Sequence, residues 1–492
     1  MNAGELALLA LVIPAAGAVL VGLLRASPNL REAASLITGG VLLGVVMQIH
    51  RAVSAGETPR FVLAEPLPGL PLELVVEPLG MIFALVAGSL WIVTTLYAIG
   101  YMRGHHEKNQ TRFYIFFALA ISCTMGVAFA GNLFTLFIFY EALTLSTFPL
   151  VTHAGTDAAK RAGRVYLGIL LSTSIGFQLL AIIWTYLLTG TIDFEMGGIL
   201  EGRAGEGVVA VLLALYVFGI GKAAVMPFHR WLPAAMVAPT PVSALLHAVA
   251  VVKAGVFSIL KVVIYVFGID FLTQLGASVW LMWVAAATII LASLVAFRKD
   301  NLKARLAYST ISQLSYVVLG AMLANTMGII GGGMHIVMHA FGKITLFFCA
   351  GAVMVAAHKT EISDMKGLGR TMPVTFAAFF VGTLSIIGLP PAGGTWSKWF
   401  LGLGALDAGQ VGLVAVLMVS SLLSIGYLMI VPVRAFFSPA ASNPHGHGHG
   451  NGGIHEAPLP SLIAIVITSL CCFALFVYPD PFFRLMSMVA GP

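Results

Sequence analysis

Long apolar runs separated by short polar loops fill almost the whole chain. As helices, runs of about twenty residues match the ~30 Å hydrocarbon core of a bilayer. They fall near residues 4–25, 32–53, 80–100, 112–130, 132–152, 163–189, 207–226, 240–268, 272–297, 303–323, 327–357, 373–406, 410–437 and 459–486. The pattern predicts an all-α polytopic membrane protein of about 14 transmembrane helices, with no soluble domain. Two runs are interrupted. The seventh ends Lys222-Ala-Ala-Val-Met-Pro227-Phe-His229-Arg-Trp-Leu-Pro233, and the twelfth contains Gly388-Leu-Pro390-Pro391-Ala-Gly393-Gly394-Thr-Trp-Ser-Lys398. Proline removes a backbone donor and breaks a helix. Unpaired backbone at membrane depth is tolerated only against protein or a wet cavity. Five steps separate the two runs, so they cross in opposite directions, as two inverted five-helix repeats (spans 4–8 and 9–13) would. The chain then divides into an N-terminal three-helix segment (1–110), two repeats (111–268 and 269–437), and a loop with a final helix (438–492).

Charge sharpens the topology. Of the 26 Lys and Arg residues, 17 fall in loops of one side and 4 in loops of the other when the N-terminus is placed outside. Basic loops stay cytoplasmic, so both termini are expected on the outer side of a bacterial inner membrane. Only 9% of residues are charged and mean hydropathy is +0.97, which excludes an ordinary soluble fold. The basic balance belongs to the membrane and not to nucleic acid. Cys123, Cys349, Cys471 and Cys472 lie in apolar helices without a CxxC pair, and read as small core residues. Glu5 and the lack of a small-residue cleavage site make the first run a retained helix. Between the second and third runs lies a proline-rich segment, 54–78. There the alternation of Leu72-Glu73-Leu74-Val75-Val76-Glu77 fits a short hairpin.

The remaining charges carry the chemistry. Glu141 is the one carboxylate read as lying well inside an apolar run. It lies roughly 14 Å along a helix from Asn132. Lys222, Lys253, Lys261, Lys343 and Lys398 also fall inside runs, whereas arginine occurs in a run only within three residues of its end. Buried lysine can release its proton whereas arginine cannot, and intramembrane ionisable groups mark ion or proton paths. Glu141 beside Lys222 makes a pair in which the carboxylate sets the charge of the lysine; a static ion pair is the plainer alternative. His335, His339 and Lys343 follow at i, i+4 and i+8 on one helical face. They form a file of titratable groups across half the bilayer, against the alternative of a polar packing seam. His247 and Lys253 share the eighth run on different faces. Lys261, two turns further on, is expected to snorkel to the outer interface. His229 sits at the first break, placed either to cap the broken helix or to give protons access. Lys398 follows the second break. The His445-Gly-His447-Gly-His449 tract with His455 is metal-ligand-like in composition but reads as a flexible linker. No metal or cofactor is expected.

These residues resemble a known family. Phe-Xaa-Xaa-Tyr-Glu141, Gly-Lys222 with Pro-Phe-His229-Xaa-Trp-Leu-Pro, Thr240-Pro-Val-Ser-Ala-Leu-Leu-His247 with Lys253, and Gly388-Leu-Pro-Pro with Lys398 are similar to the antiporter-like subunits. Such subunits occur in Mrp-type cation/proton antiporters, respiratory complex I and membrane-bound hydrogenases. The resemblance covers roughly residues 75–435 and implies fourteen helices with two inverted half-channels meeting at a central polar axis. It also implies proton-translocating roles for Glu141, Lys222, Lys253, His335, His339, Lys343 and Lys398. The D-type Mrp subunit fits best, because Lys398 stands where the complex I subunit closest in size has glutamate. The expectation is therefore a proton-translocating subunit of a multisubunit Na⁺(K⁺)/H⁺ antiporter, working with partner membrane subunits and monovalent cations. The alternatives are a proton-pumping subunit of complex I or a hydrogenase, which would make the assembly a translocase enzyme, and a non-conducting structural subunit.

Overall fold

The computed structural model describes residues 2–439 and 453–491. His445, His447 and His449 lie outside the described residues. His455 lies within them, and its backbone N–H donates to the Thr371 carbonyl at 2.8 Å.

The chain is a mostly helical polytopic bundle. Its first six long helices are α1 (Ala3–Leu23), α2 (Pro28–Ser54), α3 (Pro78–Gly104), α4 (Gln110–Ala128), α5 (Leu133–Val151) and α6 (Asp157–Thr189). Helix α7 (Glu206–Gly219) is short. Four more follow as α8 (Thr240–Phe267), α9 (Val279–Arg298), α10 (Leu302–Met322) and α11 (Thr326–Ala357). The twelfth run is split into α12 (Pro373–Ile387) and α13 (Gly394–Asp407). Helices α14 (Val411–Phe437), α15 (Leu459–Val477) and α16 (Asp480–Ala490) complete the chain. Among the described residues, 11 helices are long and apolar enough to cross a membrane. Three of the fourteen predicted runs fall outside that set. The seventh and twelfth are broken, and α10 carries Lys303, Arg305 and several serines. The last run also ends sooner than expected, because Pro479 and Pro481 turn the chain after Val477 into α16.

The second break occurs where glycine and proline predicted it, whereas the first begins at Gly219, ahead of Pro227. Helix α7 stops at Gly219, and Lys222 follows in a tight 3₁₀ turn, Gly221–Ala223. Helix α12 ends on Gly388, whose φ of +87° is a left-handed conformation that suits glycine. Helix α8 is buried along its whole length and lies directly on the first break. Gly255 makes that possible, since a Cβ there would overlap the backbone of Lys222 and Ala223. The hairpin is present as β1 (Arg60–Leu67) and β2 (Leu70–Val75), paired antiparallel. It is tied to the bundle by Val75 N–H donating to Phe129 O at 2.7 Å, and by Asn132 Nδ2 donating to Pro71 O at 2.8 Å.

One local device occurs twice. Asn132 caps α5 by accepting from Thr135 N–H, while Leu133 N–H donates to Ile192 O and Phe194 N–H to Gly131 O. Asn301 caps α10 by accepting from Ala304 N–H, while Leu302 N–H donates to Thr360 O and Ile362 N–H to Asp300 O. Each joins a turn between two helices to a later connection in the chain. The correspondence fits a chain built from two related helical units.

Candidate functional site

The first cluster forms at the α7 break. Lys222 is fully buried. Its Nζ donates to the Tyr140 carbonyl at 2.8 Å and to Thr144 Oγ1 at 2.6 Å, and lies 3.1 Å from the centre of the Tyr140 ring. Its backbone N–H donates to the Tyr140 hydroxyl at 3.1 Å. Tyr140 and Thr144 are one turn apart on α5 and so share the face turned to the break. Glu141 is the next residue along, about 100° around the helix. The plainer alternative of a static ion pair is not formed, since no Glu141 oxygen comes within 4.0 Å of the lysine. Both Glu141 carboxylate oxygens are buried with no protein hydrogen-bond partner.

The second cluster runs through α8, α11 and the second break. Lys253 Nζ lies 2.6 Å from His339 Nδ1. The His339 and His335 rings are 5.8 Å apart, and His335 Nδ1 lies 2.9 Å from Ser397 Oγ. Lys398 is the next residue after that serine. Its Nζ donates to Ile387 O at 2.9 Å and to Ser421 Oγ at 3.0 Å. The Tyr316 ring bridges the same two groups, stacked 5.4 Å from the His335 ring and 4.7 Å below the Lys398 Nζ. The i, i+4 file on α11 is thus continued at both ends by lysines from other helices. Lys343, the third member of that file, turns into a hydroxyl branch. Its Nζ donates to Ser309 Oγ at 2.8 Å, and Tyr427 joins Ser309 at 3.2 Å and Ser424 at 3.0 Å.

The other candidates stand apart. His247 is fully buried beside Phe347, and neither ring nitrogen has a protein partner. His229 is partly exposed at the break, with its ring 6.3 Å from Tyr308 and Nδ1 unpartnered. Lys261 corrects an expectation, because it does not snorkel. It is fully buried and forms an ion pair with Glu77 at 3.2 Å. Glu77 at the start of α3, the Ala130 turn and the connection after α6 enclose the lysine at the end of α8. Glu77 was also missed as a deep carboxylate, because it stands between a strand and a helix and not inside an apolar run. Tyr140 and Thr144 had a signal in the sequence, as a polar i, i+4 pair flanking Glu141. Ser309 and Tyr427 had none, since serine and tyrosine are common in packed helices. Buried Gln178 and Gln313, whose amides have no protein partner, also escaped the reading. Among the described residues no group of three His, Cys, Asp or Glu side chains is arranged to hold a metal.

A polytopic bundle with two broken helices and buried lysines and histidines gathered at them defines the antiporter-like class of membrane subunits. Residues 130–424 match the family described as NADH:quinone oxidoreductase/Mrp antiporter, TM, and the chain belongs to that family. It is 33% identical over 404 residues to NADH-quinone oxidoreductase subunit N of Desulforudis audaxviator, covering 80% of this chain and 79% of that one. It is 32% identical over 433 residues to NAD(P)H-quinone oxidoreductase chain 5 of Synechocystis, covering 80% of this chain and 60% of that one. Hydrogenase-4 component B of Escherichia coli is 30% identical, with 77% of this chain and 57% of that one covered. In fold, the chain is similar to a chain of the Mrp complex from Dietzia sp. DQ12-45-1b, with TM-score 0.85, 22% identity, and 100% and 98% of the two chains covered. It is also similar to a chain of an archaeal membrane-bound sulfane sulfur reductase, with TM-score 0.83, 25% identity, and 98% and 96% covered.

Proposed function

We propose that this chain translocates protons as a subunit of a multisubunit Mrp-type Na⁺(K⁺)/H⁺ antiporter in a bacterial inner membrane. One observation carries the reading. Lys253, His339, His335, Ser397 and Lys398 stand in line across three elements, each in contact with the next or adjacent to it in sequence. Lysine and histidine can each take and release a proton, so such a line passes protons where arginine would block them. The Lys222 cluster supplies a second site at the other break. There the Glu141 charge and the Lys222 charge influence each other without contact, so the proton on one can be set by the state of the other. Glu141, Lys222, Lys253, His335, His339, Lys343 and Lys398 carry the path, with His229 and His247 beside it. Basic loops on one side support an inside-facing entry and two termini outside. The repeated Asn132 and Asn301 stitches support two inverted units within 111–268 and 269–437.

The likeness in fold to a chain of an Mrp complex is compatible with an antiporter, and the equally extensive likeness to a chain of a sulfane sulfur reductase is compatible with a redox-linked pump. The pump is the second reading, favoured by the quinone oxidoreductase relatives. Membrane vesicles holding the complete complex separate them. Cation-driven proton movement that is lost in Lys222→Ala, at unchanged complex abundance, is the expected result. Proton movement driven only by NADH or hydrogen oxidation would assign the second reading. Cation-driven movement equal to wild type in Lys222→Ala would remove the proton path from this chain.

A further inference from the structure

Lys261 and Glu77 form an ion pair that lies deep in the bundle, away from both helix breaks. Lys261 sits where the end of α8, the start of α3, the turn before α5 and the connection after α6 meet. Its Nζ is 3.2 Å from Glu77 Oε2 and donates to the Ala130 carbonyl at 2.6 Å. The rings of Phe194, Phe257 and Tyr265 surround it, with centroids at 4.7, 5.7 and 5.9 Å. Among the described residues, the titratable groups facing this pair are each other and Tyr265. Lys261 follows Lys253 by eight residues on α8, so both lie on one helical face. The separation along the axis is about 12 Å.

The repeated stitch shows what a purely structural solution looks like. Ala130 precedes the Asn132 cap by two residues, and Lys299 stands in the same place before Asn301. The Lys299 carbonyl is held by Arg305 Nε at 2.7 Å, and Arg305 Nη1 donates to Tyr427 O at 2.8 Å. A permanent charge therefore braces the turn in one unit. The other unit uses a lysine with a carboxylate partner, both able to exchange protons. Bracing alone does not need that chemistry.

We propose that the Glu77–Lys261 pair is a proton-transfer station at the outer end of the first unit, continuing the line from Lys253. This rests on the proton-translocation reading above. A proton arriving at the pair bonds to the Glu77 carboxylate and forms a carboxylic acid. Lys261, now without its counter-charge in an apolar cage, releases one proton and becomes a neutral amine. The acid proton then moves to that amine, which restores carboxylate and ammonium. One proton has entered and one has left. The cycle runs in either direction and needs no other reactant.

The test uses the complete complex in vesicles, with wild type and Lys222→Ala as references. Lys261→Arg keeps the charge and the brace but cannot release a proton. It is expected to assemble normally, to lose flux by at least about tenfold, and to flatten the pH profile of what remains. Normal flux and profile in assembled Lys261→Arg, with Lys222→Ala inactive, would overturn this proposal alone. Normal flux in Lys222→Ala would overturn the reading beneath it. If Lys261→Arg does not assemble, the double variant Glu77→Met/Lys261→Met decides, since apolar residues of similar volume commonly replace a buried ion pair without loss of stability. Assembled complex with flux lost upholds the proposal. Assembled complex with normal flux, or no assembly, marks the pair as a structural brace and overturns it.

Discussion

The two helix breaks hold their lysines in different company. At the first, Lys222 is fixed by a carbonyl, one hydroxyl and an aromatic face, all from one turn of α5. At the second, Lys398 is half-buried at the base of a groove of about 520 Å³ lined by residues such as Leu389, Trp399 and Met418. It leads through Ser397 into a file of histidines. The first is a single well-held charge, and the second is the end of a line. A lone charge depends on each of its few partners, whereas a line with side branches has neighbours that share the load. Substitutions at the first break are therefore expected to cost more than those on the branches of the second.

The sharpest way to break this contrast is Glu141→Gln. The carboxylate has no hydrogen-bond partner to lose, so assembly should be unchanged while exchange in vesicles falls by about a hundredfold or more. Exchange at the wild-type rate would show that the through-space coupling to Lys222 has no role. A smaller loss is expected from Thr144→Val, which removes one donor-acceptor contact to the ammonium. Hydrogen bonds to charged groups are worth about 1.5–3 kcal/mol, so flux should drop by roughly tenfold, and Thr144→Ser should restore it. A Val variant indistinguishable from wild type would leave the Tyr140 carbonyl as sufficient. The smallest effect belongs to Ser309→Ala on the Lys343 branch. A fall within about threefold is expected, less than the full value of a hydrogen bond to a charged group, because Lys343 stands off the Lys253–His339–His335 line. If it matches Glu141→Gln instead, the branch is the main path and the contrast between the breaks is wrong.

The membrane-spanning pattern was legible because run length and proline placement are local properties. The second break fell at the Gly388–Pro391 segment, and the first opened at Gly219, ahead of Pro227. The α11 file was legible for the same reason, as helical periodicity alone aligns His335, His339 and Lys343. Partners from other helices were not. Lys253 on His339 and Ser309 on Lys343 depend on how α8 and α10 pack, which no spacing along one helix records. The side chains that hold Lys222 went unread as well. A one-residue step around α5 turns the Glu141 carboxylate aside and presents Tyr140 and Thr144 to the lysine. Lys261 failed because distance to a helix end says nothing about what folds over that end.

Gly255 sets Lys222's turn against α8 with no side chain between them. Side chains are the compliant layer of a helix contact, free to change rotamer and absorb small shifts. Backbone resting on backbone has no such slack. Lys222 and Lys253, which stand in different clusters, are thus mounted on two backbone surfaces in direct contact, so that a shift of either turn would press on the backbone of the other.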